Sequence, residues 1–532
     1  MLSDEWKTMV VDLAKSTGIN LVGDQLSDLA FQVVRKRLRT RKKATLDKLQ
    51  SPSKTRYIVA PPLYQQSSGA TVQTNLRSIH DTLQGSILRS EHETGSKVLK
   101  LSSLEAALVR ERFPSLLVEE DIQHELARTP LLPDLHPITV PASSGKTLTV
   151  EVSSQGVPAS QARVLLFTDV EAKTGYEGIS GAEGKLRLTI RSTETRFEKV
   201  IVLPRELYWS HVARDVDLTG SRLALELTPL AVNGFDWGHL ATEVSRKGTR
   251  QGKGVKVAVV DSGAGPHGSL RISGGKNFIL NEAEGDWTDH DGHGTHCAGV
   301  IAALEAAAST WGYAPAVDIY ALRVFGGSDG GGYASDIGDA IDWAVQEGCD
   351  IVSMSLSSST ASSYIRSKIE KAVDAGVLCV AAVGNQGGEV RYPAKFGNVV
   401  GVSAIGRFGT FPQDSLHQDA ITPLRSSDRE YFIGSFSNRG EAVDVCAPGV
   451  AVTSTVPTNA FAAWDGTSMA CPHVAGIAAL ALEAAPDIRQ APRDAGRMGL
   501  LLDRVLGLCT DLGLPKINQG SGLPQLGKLY FA

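Results

Sequence analysis

Lys256-Val257-Ala258-Val259-Val260-Asp261-Ser262-Gly263 reads as one strand that delivers an aspartate to a glycine-containing turn. Its apolar run has no polar alternation, which marks a strand covered on both faces, the condition of a parallel sheet. Comparable runs at 317–324, 350–354, 377–382, 398–404 and 443–446 are separated by Ala-rich, helix-like stretches. That alternation predicts an α/β fold over 232–532, a parallel sheet wrapped by helices. Ligands in such folds bind beyond the carboxyl ends of the strands. The 54 glycines exceed the usual share of about 7% and gather between 250 and 480, so tight turns are expected there.

Upstream the texture changes. Residues 137–230 read as all-β: Leu186, Leu188 and Ile190 alternate with Lys185, Arg187, Thr189 and Arg191, the period of a half-buried strand. Further strands are expected at 147–152, 162–168, 199–203 and 223–227, and a β-sandwich fits, serving as a spacer or docking module. Residues 55–126 read as a small α/β unit with strands at Tyr57–Val59, Val98–Leu101 and Leu116–Val118. Leu76, Ile79 and Leu83 are spaced as a helix face, and Ser102 with Glu105 forms a capping box. Residues 1–54 are expected to be a helical extension carrying the basic run Arg35 to Lys43, which could bind an acidic partner but more often is a solvated face or linker.

Bulk properties exclude several classes. A net charge of −5 gives no electrostatic case for nucleic acid or an anionic membrane as partner. No apolar run reaches the roughly 18 residues a membrane span needs. The stretch MLSDEWKTMVVDLAKSTG lacks the apolar core of a signal peptide, and the expected location is the cytoplasm. None of the six cysteines sits in a CxxC pair, so no zinc site is expected, and they read as buried free thiols.

Three more stretches carry chemistry. In Asp289-His290-Asp291-Gly292-His293-Gly294-Thr295-His296-Cys297-Ala298-Gly299, glycines flank His293 so that backbone and substrate can approach it. A helix over 298–308 is expected to follow. The spacing of His293 and His296 also suits a metal, but no third carboxylate ligand is evident. In Gly466-Thr467-Ser468-Met469-Ala470-Cys471-Pro472-His473-Val474-Ala475-Gly476, Ser468 opens a helix, where free N–H groups and the helix dipole favour developing negative charge. In Val380-Ala381-Ala382-Val383-Gly384-Asn385-Gln386-Gly387, Asn385 offers an amide beyond a strand end. Taken alone, Asp261 equally suits a structural or metal-binding aspartate, and Asn385 a turn residue. Together they supply a nucleophile, a base, an orienting carboxylate and two oxyanion donors, in the chain order Asp, His, Ser.

That order and the letters HGTHCAG and GTSMACPHVAG resemble the subtilase family. Ser353-Met354-Ser355-Leu356, Tyr392-Pro393-Ala394 and Ala447-Pro448-Gly449 match as well. The resemblance implies a serine endopeptidase acting on protein or peptide substrates with no required cofactor. Calcium is common in the family, but no convincing acidic loop for it stands out here. By resemblance, substrate lies as an added strand between Gly330-Gly331-Gly332 and Ser355-Leu356-Ser357. Residues 381–384, including Ala382 and Gly384, and 389–391 wall the pocket for the side chain preceding the cleaved bond. Arg391 stands where relatives usually carry a small residue. Either it favours an acidic or polar side chain in that pocket, or it points to solvent or pairs with Glu389. Residues 55–126 resemble the inhibitory propeptides of subtilases in IVAPP and LLVEED, which implies an intramolecular inhibitor, with either a cut near 121–135 that leaves the β-domain attached or no cut at all. A β-domain intervening before the peptidase departs from the family's short link.

Overall fold

The computed structural model describes residues 53–62, 69–127, 135–141, 144–232, 234–244, 250–304, 310–327 and 330–530. The expected basic helix over 1–54 lies outside them except for its last two residues.

Three units follow one another along the chain. In the first, β1 (Lys54–Ala60), β2 (Ile87–Ser90), β3 (Lys97–Ser102) and β4 (Leu117–Glu120) form a sheet in the order β2-β3-β1-β4, antiparallel throughout. The helices α1 (Gly69–Thr82) and α2 (Ser103–Arg112) lie between these strands in the chain. The sheet alternates as a two-faced strand must. Tyr57 and Val59 join Leu76, Ile79, Leu83 and Leu108 in the unit's own core, whereas Ile58 and Ala60 belong to the core of the third unit. The capping box opens α2: Ser102 Oγ accepts from Glu105 N–H, and Glu105 accepts from Ser102 N–H at 2.7 Å. A short strand, β5 (Glu125–Leu126), ends this segment.

The second unit is all-β. Its strands are β6 (His136–Pro137), β7 (Gly145–Ser154), β8 (Val157–Pro158), β9 (Arg163–Asp169), β10 (Thr174–Ile179), β11 (Lys185–Arg191), β12 (Arg196–Leu203), β13 (His211–Asp217) and β14 (Arg222–Glu226). One sheet runs β13-β12-β9-β10-β6 and another β11-β7-β14, with β8 on β7. Leu148, Val150, Leu186 and Ile190 from one sheet share a core with Val164, Leu166, Phe197 and Val200 from the other.

The third unit carries the expected parallel sheet. Val257 to Val260 of β15 (Lys256–Asp261) are at most 1% exposed. Past α3 (Trp237–Ala241), the elements around β15 are β16 (Ile272–Asn277), α4 (His293–Ala302), β17 (Asp318–Arg323), α5 (Ala334–Gln346), β18 (Ile351–Met354), β19 (Leu356–Ser357), α6 (Ser363–Asp374), β20 (Leu378–Ala382), β21 (Val400–Arg407), β22 (Ile421–Arg425), β23 (Tyr431–Gly434), β24 (Val445–Pro448), β25 (Val452–Val456), β26 (Ala460–Trp464) and α7 (Thr467–Glu483). The sheet order is β16-β17-β15-β18-β20-β21-β23-β22, with β24 on β21. Pairing is parallel from β16 to β21 and turns antiparallel at β23. The helix expected over 298–308 begins at His293 and ends at Ala302, after which Ala303 O accepts from Gly312 N–H at 2.8 Å; 305–308 of the expected span lie outside the described residues. The small residues of α7 let it press on β18, β20 and β21, and Thr467 to Leu482 are buried. All six cysteines are unpaired, and only Cys509 is not fully buried. Among the described residues no helix is long and apolar enough to cross a membrane.

Candidate active site

Three elements converge at the carboxyl end of the sheet. Strand β15 ends on Asp261, α4 starts on His293, and Ser468 lies in the first turn of α7. All three are buried. His293 Nδ1–H donates to Asp261 Oδ1 at 2.7 Å, so the remaining lone pair of the neutral ring sits on Nε2. That nitrogen is buried without a hydrogen-bond partner. Asp261 Oδ1 also accepts from Ser262 N–H at 2.7 Å and Ser262 Oγ at 3.2 Å. The start of α4 is fixed by Asp289, which accepts from Gly292 N–H, Thr295 N–H and Thr295 Oγ–H at 2.6–2.8 Å.

Pro472 shapes the start of α7. It has no N–H for the carbonyl four residues back, and that carbonyl, Ser468 O, accepts instead from Ser355 Oγ–H at 2.8 Å. Ser468 Oγ–H donates to Ser355 O at 3.0 Å. Asn385 is oriented by α7: its Oδ1 accepts from Thr467 N–H at 2.9 Å and Thr467 Oγ–H at 2.8 Å. A backbone N–H can only donate, so Nδ2 must face the other way.

What it faces is the chain's own Ala127. The Ala127 carbonyl accepts from Asn385 Nδ2 and from Ser468 N–H at 3.1 Å. Residues 123–127 lie extended across the site. Leu126 and Glu125 pair antiparallel with Leu356 and Ser357 of β19, and Ala127 N–H donates to Ser355 O at 3.0 Å. On the other edge His124 N–H donates to Gly332 O at 2.7 Å and Gln123 Nε2 to Gly331 O at 3.3 Å. Gly332 has to be glycine: its φ is +76°, and a Cβ would stand 2.7 Å from His124 O. Of the expected cleft residues, Gly331, Gly332, Ser355, Leu356 and Ser357 thus meet the segment. Gly330 closes a turn with Gly326, and Ala382 belongs to the core beneath. Gly384 supports the Asn385 loop, its N–H donating to Thr467 Oγ at 3.2 Å. Arg391 neither points to solvent nor pairs with Glu389, which Lys395 holds at 3.2 Å; its guanidinium meets Glu125.

Two docking contacts escaped the sequence reading because their partners lie over 200 residues apart. Glu119 accepts from Ser362 Oγ–H, Ser363 N–H and Tyr364 N–H at 2.6–3.0 Å and so caps α6. Asp121 accepts from Ser335 N–H and Oγ–H at 2.8–2.9 Å and caps α5. Both satisfy free N–H groups at helix starts.

His296 does not join His293 as a metal pair. Its Nε2 faces the carbonyls of Val452 and Ala462 at 3.1 and 3.2 Å, its ring stacks on Trp464, and burial lowers its pKa to about 3. Among the described residues, Asp261, His293 and Cys297 alone bring three such donor atoms together. Burial pushes the Cys297 thiol far up, so it stays protonated. One carboxylate, an imidazole and a thiol do not fit calcium, which takes six to eight oxygens.

A model of the subtilase family matches residues 252–498. Alkaline elastase YaB of a Bacillus species is 35% identical over 300 residues, 56% of this chain and 70% of that protein. Subtilisin DY of Bacillus licheniformis is 38% identical over 254 residues, 47% of this chain and 83% of that protein. M-protease of Shouchella clausii is 37% identical over 296 residues, 54% and 71% respectively.

Proposed function

The chain belongs to the subtilase family and is a serine endopeptidase, and from that premise we propose that Asp261, His293 and Ser468 form its triad and that it is made as a precursor inhibited by its own residues 53–127. His293 Nε2 takes the proton as Ser468 Oγ turns from Ser355 O and attacks the peptide carbonyl, and later passes it to the leaving amine. Asp261 holds the tautomer that makes this possible and stabilises the charged ring. Asn385 Nδ2 and Ser468 N–H hold the oxyanion, an acyl-enzyme forms, and water releases it.

The observation that carries this reading is the Ala127 carbonyl on those same two donors, at the end of a segment paired with both cleft edges. It supports Ala127–Arg128 as the bond the chain cuts in itself. Before the cut, and after it until the N-terminal fragment is released, residues 123–127 fill the cleft and exclude other peptides. Glu119 and Asp121 hold the inhibiting unit on α6 and α5. The all-β unit stays with the peptidase as a docking module.

The test compares the purified chain with Ser468→Ala. The wild type should yield a fragment ending at Ala127 and react with a fluorophosphonate probe, and the variant should do neither. A wild type that stays intact and unlabelled defeats the proposal.

A further inference from the structure

The segment in the cleft also shows what the site selects. Glu125 Oε1 accepts from Arg391 Nη1–H and from Gln386 Nε2–H, the latter at 3.2 Å. Glu125 and Ala127 are two apart on an extended segment, so their side chains leave on one face, while those of His124 and Leu126 leave on the other. A guanidinium that reaches Glu125 therefore stands on the face of Ala127. The Arg391 stem passes Gly384, the residue before Asn385, where an added Cβ would lie 3.3 Å from Arg391 Cδ. Ala127 is 2% exposed, leaving little free space around its methyl. Lys395 occupies Glu389 at 3.2 Å, which leaves Arg391 to the substrate-like strand.

We propose that Arg391, with Gln386, sets the substrate class: peptides with a carboxylate side chain at the third position before the cleaved bond and a small side chain immediately before it. The inference rests on reading 123–127 as substrate-like. The head group does the selecting at the third position, where charge-assisted donors recognise a carboxylate. The stem sets the upper size at the position next to the bond. The Glu125 side chain is 57% exposed and that of Arg391 25%. Water and salt therefore weaken the pair, and the preference is modest rather than absolute.

The test uses the full chain allowed to process itself and release its N-terminal fragment, with active sites counted by a fluorophosphonate probe. Quenched peptides carry Gln-His-Glu-Leu-Ala-Arg, versions with Gln or Lys in place of Glu, and one with Phe in place of Ala. At low salt, kcat/KM should fall about threefold to fivefold with Gln and about tenfold with Lys, as expected of a partly exposed pair, and the gap should narrow at high salt. The Phe peptide should be cut at least about tenfold more slowly, the cost of about 1.4 kcal/mol of overpacking. Arg391→Glu should reverse the order of the Glu and Lys peptides, and Arg391→Gly should level it and admit Phe. Equal rates for the Glu and Lys peptides, or for Ala and Phe, on wild-type enzyme that labels with the probe would overturn this inference and leave the peptidase reading intact. No labelling and no cleavage of any peptide would overturn both.

Discussion

Thr467 decides which way Asn385 faces. Its N–H and its hydroxyl both donate to Asn385 Oδ1, which sends Nδ2 to the Ala127 carbonyl. Asn385→Ala removes the proposed oxyanion donor and should lower kcat about 10²–10³-fold. Thr467→Val keeps the N–H and loses the hydroxyl, so the amide is held by one bond instead of two. A loss of about fivefold in kcat with little change in KM is expected, since a neutral hydrogen bond is worth about 1 kcal/mol. Steady-state kinetics of the two variants check the ranking, and a Thr467→Val enzyme with only a raised KM would contradict it. Asp261, His293, Ser468 and Asn385 were legible because each terminates an apolar strand or opens a small-residue helix. Thr467 was visible only as a letter of the Ser468 motif, since nothing local indicates that its two donors reach a loop 82 residues away.

At the scale of elements, two helix starts in the peptidase unit take their caps from β4 and the residues just after it. Replacing Glu119 by Ala removes its three bonds to the start of α6 while Ser362 Oγ still accepts from Ile365 N–H, and helix-capping bonds are worth about 0.5–2 kcal/mol. The released N-terminal fragment should then inhibit about 2- to 30-fold less well, read from peptide hydrolysis. Proton linkage acts on the same surface. Burial lowers the His124 imidazole to about 4, so His124 favours docking above its free value near 6.5, a contribution lost as pH falls toward 4. Burial raises Asp336 to about 6, although Arg89 and Arg56 pull it down. Asp336 therefore favours docking in acid, an effect complete below its free value near 3.9 and lost as pH rises through 6. Burial raises Asp121 in the same direction as Asp336. The carboxyls thus offset His124. Asp336→Asn should weaken docking relative to wild type progressively on acidification from pH 7, by about tenfold per unit below 6. Inhibition constants at pH 7 and 5 measure it, and a constant ratio between the two proteins would count against this role. The sequence showed β4 as an apolar run ending in acids. It could not show the faces of α5 and α6 that those acids meet, because packing between distant elements has no local periodicity.

For the whole molecule, the order of three units was readable from texture, but not how the middle one attaches. The all-β unit lies against the peptidase unit at the loop before β22 and at β26. Val212 N–H donates to Asp414 O at 2.6 Å and Leu207 N–H to Phe461 O at 2.7 Å, while Leu165, Phe167 and Ile201 enclose Leu416. Trp209 meets the His417 ring edge-on at 5.4 Å, and His417 Nδ1–H donates to Asp465, three residues before Ser468. A cut after Ala127 leaves this unit covalently joined to the peptidase through residue 232 onward, and the apolar contact at Leu416 intact. The N-terminal unit keeps its caps, its cleft strand, the Ile58 face and the pairs of Arg56 and Arg89 with Asp336 and Asp339. Processing should therefore yield two bodies, residues up to Ala127 and residues 128–532, and not three. Leu416→Asp places a carboxylate among three buried apolar side chains, which should cost about 2–5 kcal/mol of stability, the range for an unpaired buried charge or a lost core leucine. The all-β unit should then loosen while Asp261, His293 and Ser468, held by α4, α7 and β15, stay assembled. Limited proteolysis should accordingly cut the variant within 137–230 while probe labelling of Ser468 persists. Resistance equal to wild type would show that Leu416 does not hold the unit, and loss of labelling would show that the peptidase site depends on it.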